Sequence, residues 1–176
     1  MKKISLLLAV LSVFSTAANG QYRWSELSYY FSNGSLPPPY HYSFEITVNT
    51  GATGVIVYYP GYAKDSTWVY NFEISESGIK KIDEAIIRSN VLNDKIPELP
   101  NEKIPDGGSS QNLTITLPQD PNLDQVPTRI ITPYYPEESY KEMLEGIYSV
   151  IKEAVPKNIW DEINTKKEEY QKSRDK

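Results

Sequence analysis

The chain has 176 residues, with 23 acidic and 18 basic side chains, one histidine and no cysteine. A net charge of −5 argues against nucleic-acid binding and against electrostatic docking on anionic membranes. Without cysteine there is no disulfide framework, no thiol nucleophile, no Cys-ligated metal and no thioether-linked lipid of the bacterial lipoprotein kind.

Lys2 and Lys3 precede an apolar run of eleven residues, Ile4 to Phe14, and small residues fill most of Ser15 to Gly20. Charge, apolar core and small residues in that order predict a cleavable signal peptide over residues 1–20, with the mature chain starting at Gln21 or Asn19. The run is shorter than the roughly twenty residues a bilayer span needs, and no later run could act as a stop-transfer segment. The expected location is therefore secreted or periplasmic, with no integral membrane segment after cleavage, and the short Lys-Lys leader is of a bacterial kind. Lys2 and Lys3 leave with the leader, so sixteen basic residues face 23 acidic ones, a net −7. The remaining length fits a single domain over residues 21–160, followed by a charged helical tail over 161–176 that frays at its end.

The chain then alternates with period two. Leu27, Tyr29 and Phe31 share one strand face, and Tyr42, Phe44, Ile46 and Val48 share the next, beyond an Asn33–Pro39 break. A turn over Asn49–Gly54 feeds Val55 to Tyr59, making a hairpin that Pro60-Gly61 ends. Trp68, Tyr70, Phe72 and Ile74 mark the inward side of a fourth strand. The period changes at Ser75, a suitable N-cap before Glu76, with Ile79, Ile82 and Ile86 at helical spacing up to about Asn90. Residues 93–111 have the composition of a surface loop. Short strands are expected over Leu113–Leu117 and Val126–Ile131. A helix opening at Pro136-Glu137-Glu138, or at a capping box of Ser139 and Glu142, carries the stripe Tyr140, Met143, Leu144, Ile147, Ile151 and Ala154. Pro156 breaks it and a last helix starts near Asn158. These elements predict an α+β domain: an antiparallel sheet of about five to six strands, with a central helix and two C-terminal helices packed on one face.

Chemistry is narrowed mostly by elimination. Any Ser-His-Asp triad or carboxylate–histidine metal site would have to use His41, and a three-histidine zinc site is impossible. Glu45 and Glu73 lie mid-strand and could project from one sheet face as a carboxylate pair, although a solvated face explains them as well. Asp120, Asn122 and Asp124 imitate the start of a calcium loop, but Gln125 and Ile131 stand where Gly and Glu are required. No nucleotide-binding glycine motif is present. No cofactor and no metal is therefore expected. Pro38-Pro39-Tyr40 has polyproline-ligand form, better read as a stiff inter-strand loop.

Aromatic residues offer the remaining signal, since nine of the fourteen tyrosines fall between Tyr22 and Tyr70. Tyr40, His41, Tyr59, Tyr62 and Trp68 lie in or beside loops stiffened by Pro37–Pro39 and Pro60, and stiff loops presenting aromatics lose little entropy on binding. They are the expected ligand- or partner-binding residues, although the alternation also places Trp68 in the core. The sequence thus predicts an exported, non-catalytic binding module whose partner is an envelope protein or a glycan. The alternative is a carboxylate-dependent hydrolase acting on an extracytoplasmic polymer.

Overall fold

The computed structural model describes residues 22–62, 66–119 and 126–174. The expected signal peptide and the Asp120–Asp124 segment lie outside these residues. Strands β1 (Glu26–Ser32), β2 (Tyr42–Asn49), β3 (Thr53–Pro60) and β4 (Trp68–Glu73) precede helix α1 (Glu76–Ser89). Strands β5 (Ser110–Thr116) and β6 (Arg129–Ile131) follow, then helices α2 (Glu138–Ala154) and α3 (Lys157–Arg174). The strands form one six-stranded sheet in the order β4-β3-β2-β1-β5-β6, antiparallel throughout. This is the expected α+β arrangement.

The period-two pattern divides the sheet into two faces. Leu27, Tyr29, Ile46, Val48, Ile56, Leu113 and Ile115 are buried in one core with Ile79, Ile82 and Ile86 of α1 and Leu144, Ile147 and Ile151 of α2. Alternate residues such as Ser28, Glu45, Thr47 and Thr114 point to the opposite, more open face. The Asn49–Thr53 turn sets the β2–β3 register, with Ile46 opposite Ile56 and Val48 opposite Gly54. A side chain at Gly54 would collide with the ring of Phe72, which lies over the strand at that position.

Helix ends follow local chemistry. The Ser75 hydroxyl accepts from the Gly78 N–H at 3.1 Å, and Asn90 closes α1 in the left-handed conformation with φ of 55°. At α2, Glu137 occupies the N-cap position without a side-chain bond, so the Ser139–Glu142 capping box is not used and Ser139 lies inside the helix. The helix after Pro156 runs through the charged segment to Arg174, supported along its length by Lys157–Asp161, Glu162–Lys166 and Glu168–Lys172 pairs. The expected strand over 126–131 pairs only at Arg129–Ile131. Trp24, just before β1, is 1% exposed and its indole N–H donates to Asp83 of α1 at 3.1 Å.

Because neighbouring strands are antiparallel, one end of the sheet gathers the segments that leave β1, enter β2, leave β3, enter β4 and enter β5. The start of α2 and the end of α3 reach the same end, since α2 follows the outgoing β6 segment and Tyr170 of α3 meets Gly61 beyond β3. Among the described residues no helix is long and apolar enough to cross a membrane.

Candidate functional site

The residues expected from sequence to form a binding surface are distributed over three environments. His41 and Tyr62 come together, with ring centroids 4.0 Å apart and planes within 2°. Both are tethered to the 33–41 loop: His41 Nδ1–H donates to the Gly34 carbonyl at 2.6 Å, and the Tyr62 hydroxyl donates to the Leu36 carbonyl at 2.9 Å. Asn33 closes this loop from both sides, donating to the Tyr40 carbonyl and accepting from the Tyr42 N–H. Tyr40 and Tyr62 remain about half exposed, at 48% and 56%. The imidazole thus braces a loop and has no serine or carboxylate partner among its described hydrogen bonds.

Tyr59 and Trp68 are not part of that cluster. Tyr59 pairs with Ser43 on the open face. Trp68 stands on the helix face, its ring stacked on Tyr58 at 5.2 Å, and Tyr58 in turn stacks on Tyr42 at 5.6 Å. Helix α3 covers this ladder. Trp160 meets Phe44 edge-on at 5.4 Å, Lys167 lies 5.1 Å from the Tyr42 ring, and Lys166 lies 6.0 Å from Trp68 and 5.1 Å from Tyr70. Lys166 also donates to Glu162 at 2.8 Å and to the Tyr70 hydroxyl at 2.9 Å, contacts that push its ammonium above the usual lysine range.

Glu45 and Glu73 share the open face, as alternation implies, but two strands and four residues separate them. By strand spacing that is roughly 16 Å, beyond the ~5–10 Å that paired glycosidic carboxylates use. The Ser28 hydroxyl donates to Glu45. Among the described residues no group of three or more His, Asp or Glu could hold a metal ion.

A cavity of about 340 Å³ opens at the loop end of the sheet, between the 99–109 segment, Tyr134–Pro136 and the first turns of α2. Its walls are largely apolar or aromatic: Leu99, Pro105, Tyr134, Tyr135, Leu144 and Tyr148. The wall segments are tied to each other, since the Leu99 N–H donates to the Tyr135 carbonyl at 2.8 Å and Glu98 bridges Pro136. A polar chain crosses the cavity region. The Tyr29 hydroxyl donates to Gln111 Oε1 at 2.8 Å, and the Gln111 amide donates in turn to Glu145. The Tyr148 ring stacks on Tyr29 at 4.8 Å, and the Tyr134 ring meets Tyr30 edge-on at 6.1 Å. Burial pushes the Tyr148 hydroxyl up to about 12, with the negative charge of Glu145 adding to the rise and a hydrogen bond from Thr132 opposing it. Burial and then Glu145 push Tyr29 up as well.

A larger groove of about 500 Å³ runs between α1 and α2 along Ala85, Met143 and Val150. Its one arginine, Arg88, bonds back to the Glu84 carbonyl of its own helix at 3.2 Å. That groove is open and lacks a convergent polar chain, which makes the loop-end cavity the better candidate.

Tyr148, Gln111, Tyr134 and Glu145 were not singled out by sequence reasoning. Tyr148 follows Ile147 in the apolar stripe and could have been read as a widening of it. Gln111, Tyr134 and Glu145 carry no periodic signal that distinguishes them from surface residues. No protein-family model matches the chain and no curated protein matches it in sequence, so geometry carries the functional argument.

Proposed function

We propose that the mature chain is an exported, non-catalytic binding protein that takes a small organic ligand, or the end of a larger one, in the loop-end cavity. The observation that carries this reading is the conjunction of a partly enclosed space of about 340 Å³, apolar and aromatic walls, and one polar chain ending on Glu145. Ligand pockets of ~300–1,000 Å³ typically combine those features. Catalysis is disfavoured by the separation of Glu45 from Glu73 and by the bracing role of His41. A hydrolase acting on an extracytoplasmic polymer would need a second acid near Glu145, and the other charged residue of the cavity is Lys141.

A second reading is favoured by the braced loop itself. Tyr40 and Tyr62 expose aromatic area on a segment whose backbone is already fixed by Asn33, His41 and Gly61 contacts. Such a surface suits an envelope protein or a glycan. The two readings separate in one experiment. Tagged mature protein is incubated with the envelope fraction of its own host, and the bound material is resolved by mass spectrometry into small molecules, glycans and proteins. Capture of a small molecule that is lost in Tyr134→Ala but kept in Tyr62→Ala supports the cavity. Capture of a protein or glycan that depends on Tyr62 and not on Tyr134 overturns it. Export is checked by N-terminal sequencing, with Gln21 or Asn19 expected as the first residue.

A further inference from the structure

We infer that the loop-end cavity takes a small organic cation, with Glu145 as its counter-charge and Tyr134 and Tyr135 as its aromatic walls. The inference rests on the binding reading above and adds the class of ligand.

Three observations point the same way. Firstly, the two charged groups lining the cavity, Lys141 and Glu145, are opposite in sign but form no ion pair with each other. Lys141 is held by Glu138 at 2.6 Å, one helical turn away, whereas Glu145 forms no ion pair among the described residues. Secondly, the polar chain runs in one direction. Tyr29 donates to Gln111 and Gln111 donates to Glu145, so the chain ends on a carboxylate whose remaining lone pairs can accept from a ligand. Thirdly, the charge of Glu145 is felt deeper in the fold, because it adds to the rise in the hydroxyl pKa of both Tyr29 and Tyr148.

A neutral ligand would displace water from Glu145 without neutralising it, whereas an ammonium supplies charge and, where protonated, a donor. Tyr134 and Tyr135, the tyrosines of the wall that keep exposed ring surface, add attraction through their negative ring faces, which favour ammonium groups and above all weakly hydrated quaternary ones. Size limits the occupant further. A space of about 340 Å³ is near the lower end of ligand pockets, enough for a head group of choline or amino-sugar size and too little for an oligosaccharide.

The test is calorimetric titration of the mature protein with choline, and with its neutral carbon isostere 3,3-dimethylbutan-1-ol, at low ionic strength. Choline is expected to bind at least about tenfold more tightly than the isostere, the equivalent of one cation–π contact plus one screened charge pair. Glu145→Gln keeps an acceptor for Gln111, so it should weaken choline by a similar factor and leave the isostere and the melting temperature unchanged. Tyr134→Ala should weaken choline as well. Equal affinity for choline and isostere, or unchanged choline binding in Glu145→Gln, would overturn the cation and leave a neutral-ligand pocket. Failure of choline to bind at all overturns the inference too. The binding reading then stands or falls separately, on whether the material captured from the envelope depends on Tyr134.

Discussion

Two tyrosine-rich regions of this protein use the same side chain in opposite ways. Under α3, Tyr42, Tyr58 and Trp68 form a continuous stack, and the helix closes over them with Trp160, Lys166 and Lys167. The ring surfaces are spent on packing. At the loop end, Tyr134 and Tyr135 border open space on two sides, the cavity and a second depression of about 380 Å³ beside Tyr30 and Glu98. Aromatic density therefore marks the core of the β2–β4 half, whereas in the other half a few aromatics around a carboxylate outside any ion pair mark the candidate site.

The buried hydroxyls sharpen this contrast. Tyr29, at 0% exposure, donates to Gln111, while the hydroxyl of Tyr58, at 2%, is buried with no hydrogen-bond partner among the described residues. The largest effect is expected when the ring that joins both regions is removed. Tyr29 stacks on Tyr148 and meets Phe44 edge-on at 5.9 Å, so Tyr29→Ala should cost about 3–5 kcal/mol in urea unfolding. A loss below about 1 kcal/mol would mean that the two halves are not joined through this ring.

Alkaline pH should act next. The Tyr148 hydroxyl ionises near 12 in the folded protein and near 10.0 in the unfolded chain. Between those values the folded state holds the extra proton, so stability is intact below pH 10 and falls as the pH rises towards 12. The two-unit difference is worth about 2–3 kcal/mol. Tyr29 and Tyr58 are shifted in the same direction, chiefly by burial, and steepen the loss. Denaturant midpoints measured from pH 8 to pH 12 check the sign, and a midpoint that does not fall above pH 10 would contradict it.

Two conservative variants give smaller, opposite effects. Tyr29→Phe breaks the bond to Gln111 and should cost about 1 kcal/mol, whereas Tyr58→Phe removes an unpaired buried hydroxyl and should be neutral or stabilising by up to about 1 kcal/mol. Equal losses in both would show that the Tyr58 hydroxyl is satisfied in solution. The smallest effect belongs to the braced loop. Tyr62→Ala removes the His41 stack and the Leu36 bond at an exposed position, so a change within about 1 kcal/mol is expected by thermal unfolding.

The sheet and its helix layer were legible because they rest on periods. Leu27 and Tyr29, or Ile79 and Ile82, repeat at spacings that only a half-buried strand or helix explains. Trp68 was legible only in part: alternation put it inward with Phe72, while its position beside a loop suggested recognition, and the structure places it in the ladder. The cavity was not legible. Its walls come from Leu99, Pro105 and Tyr134–Tyr135, in segments without periodicity, and the two segments are joined by long-range backbone pairings: Leu99 with Tyr135, Glu98 with Pro136 and Glu137 with Pro97. Such pairings depend on where the chain returns after β6, which local sequence does not encode. Gln111 and Glu145 likewise acquire meaning only as neighbours across β5 and α2.

The contrast between the two tyrosine regions is tested most directly by labelling the tyrosine rings with ¹³C and titrating the chain from Gln21 onward with choline. The account predicts that the ring resonances of Tyr134 and Tyr135 move in proportion to occupancy while those of Tyr42 and Tyr58 stay fixed. Movement confined to Tyr40 and Tyr62, or to the ladder under α3, would contradict it.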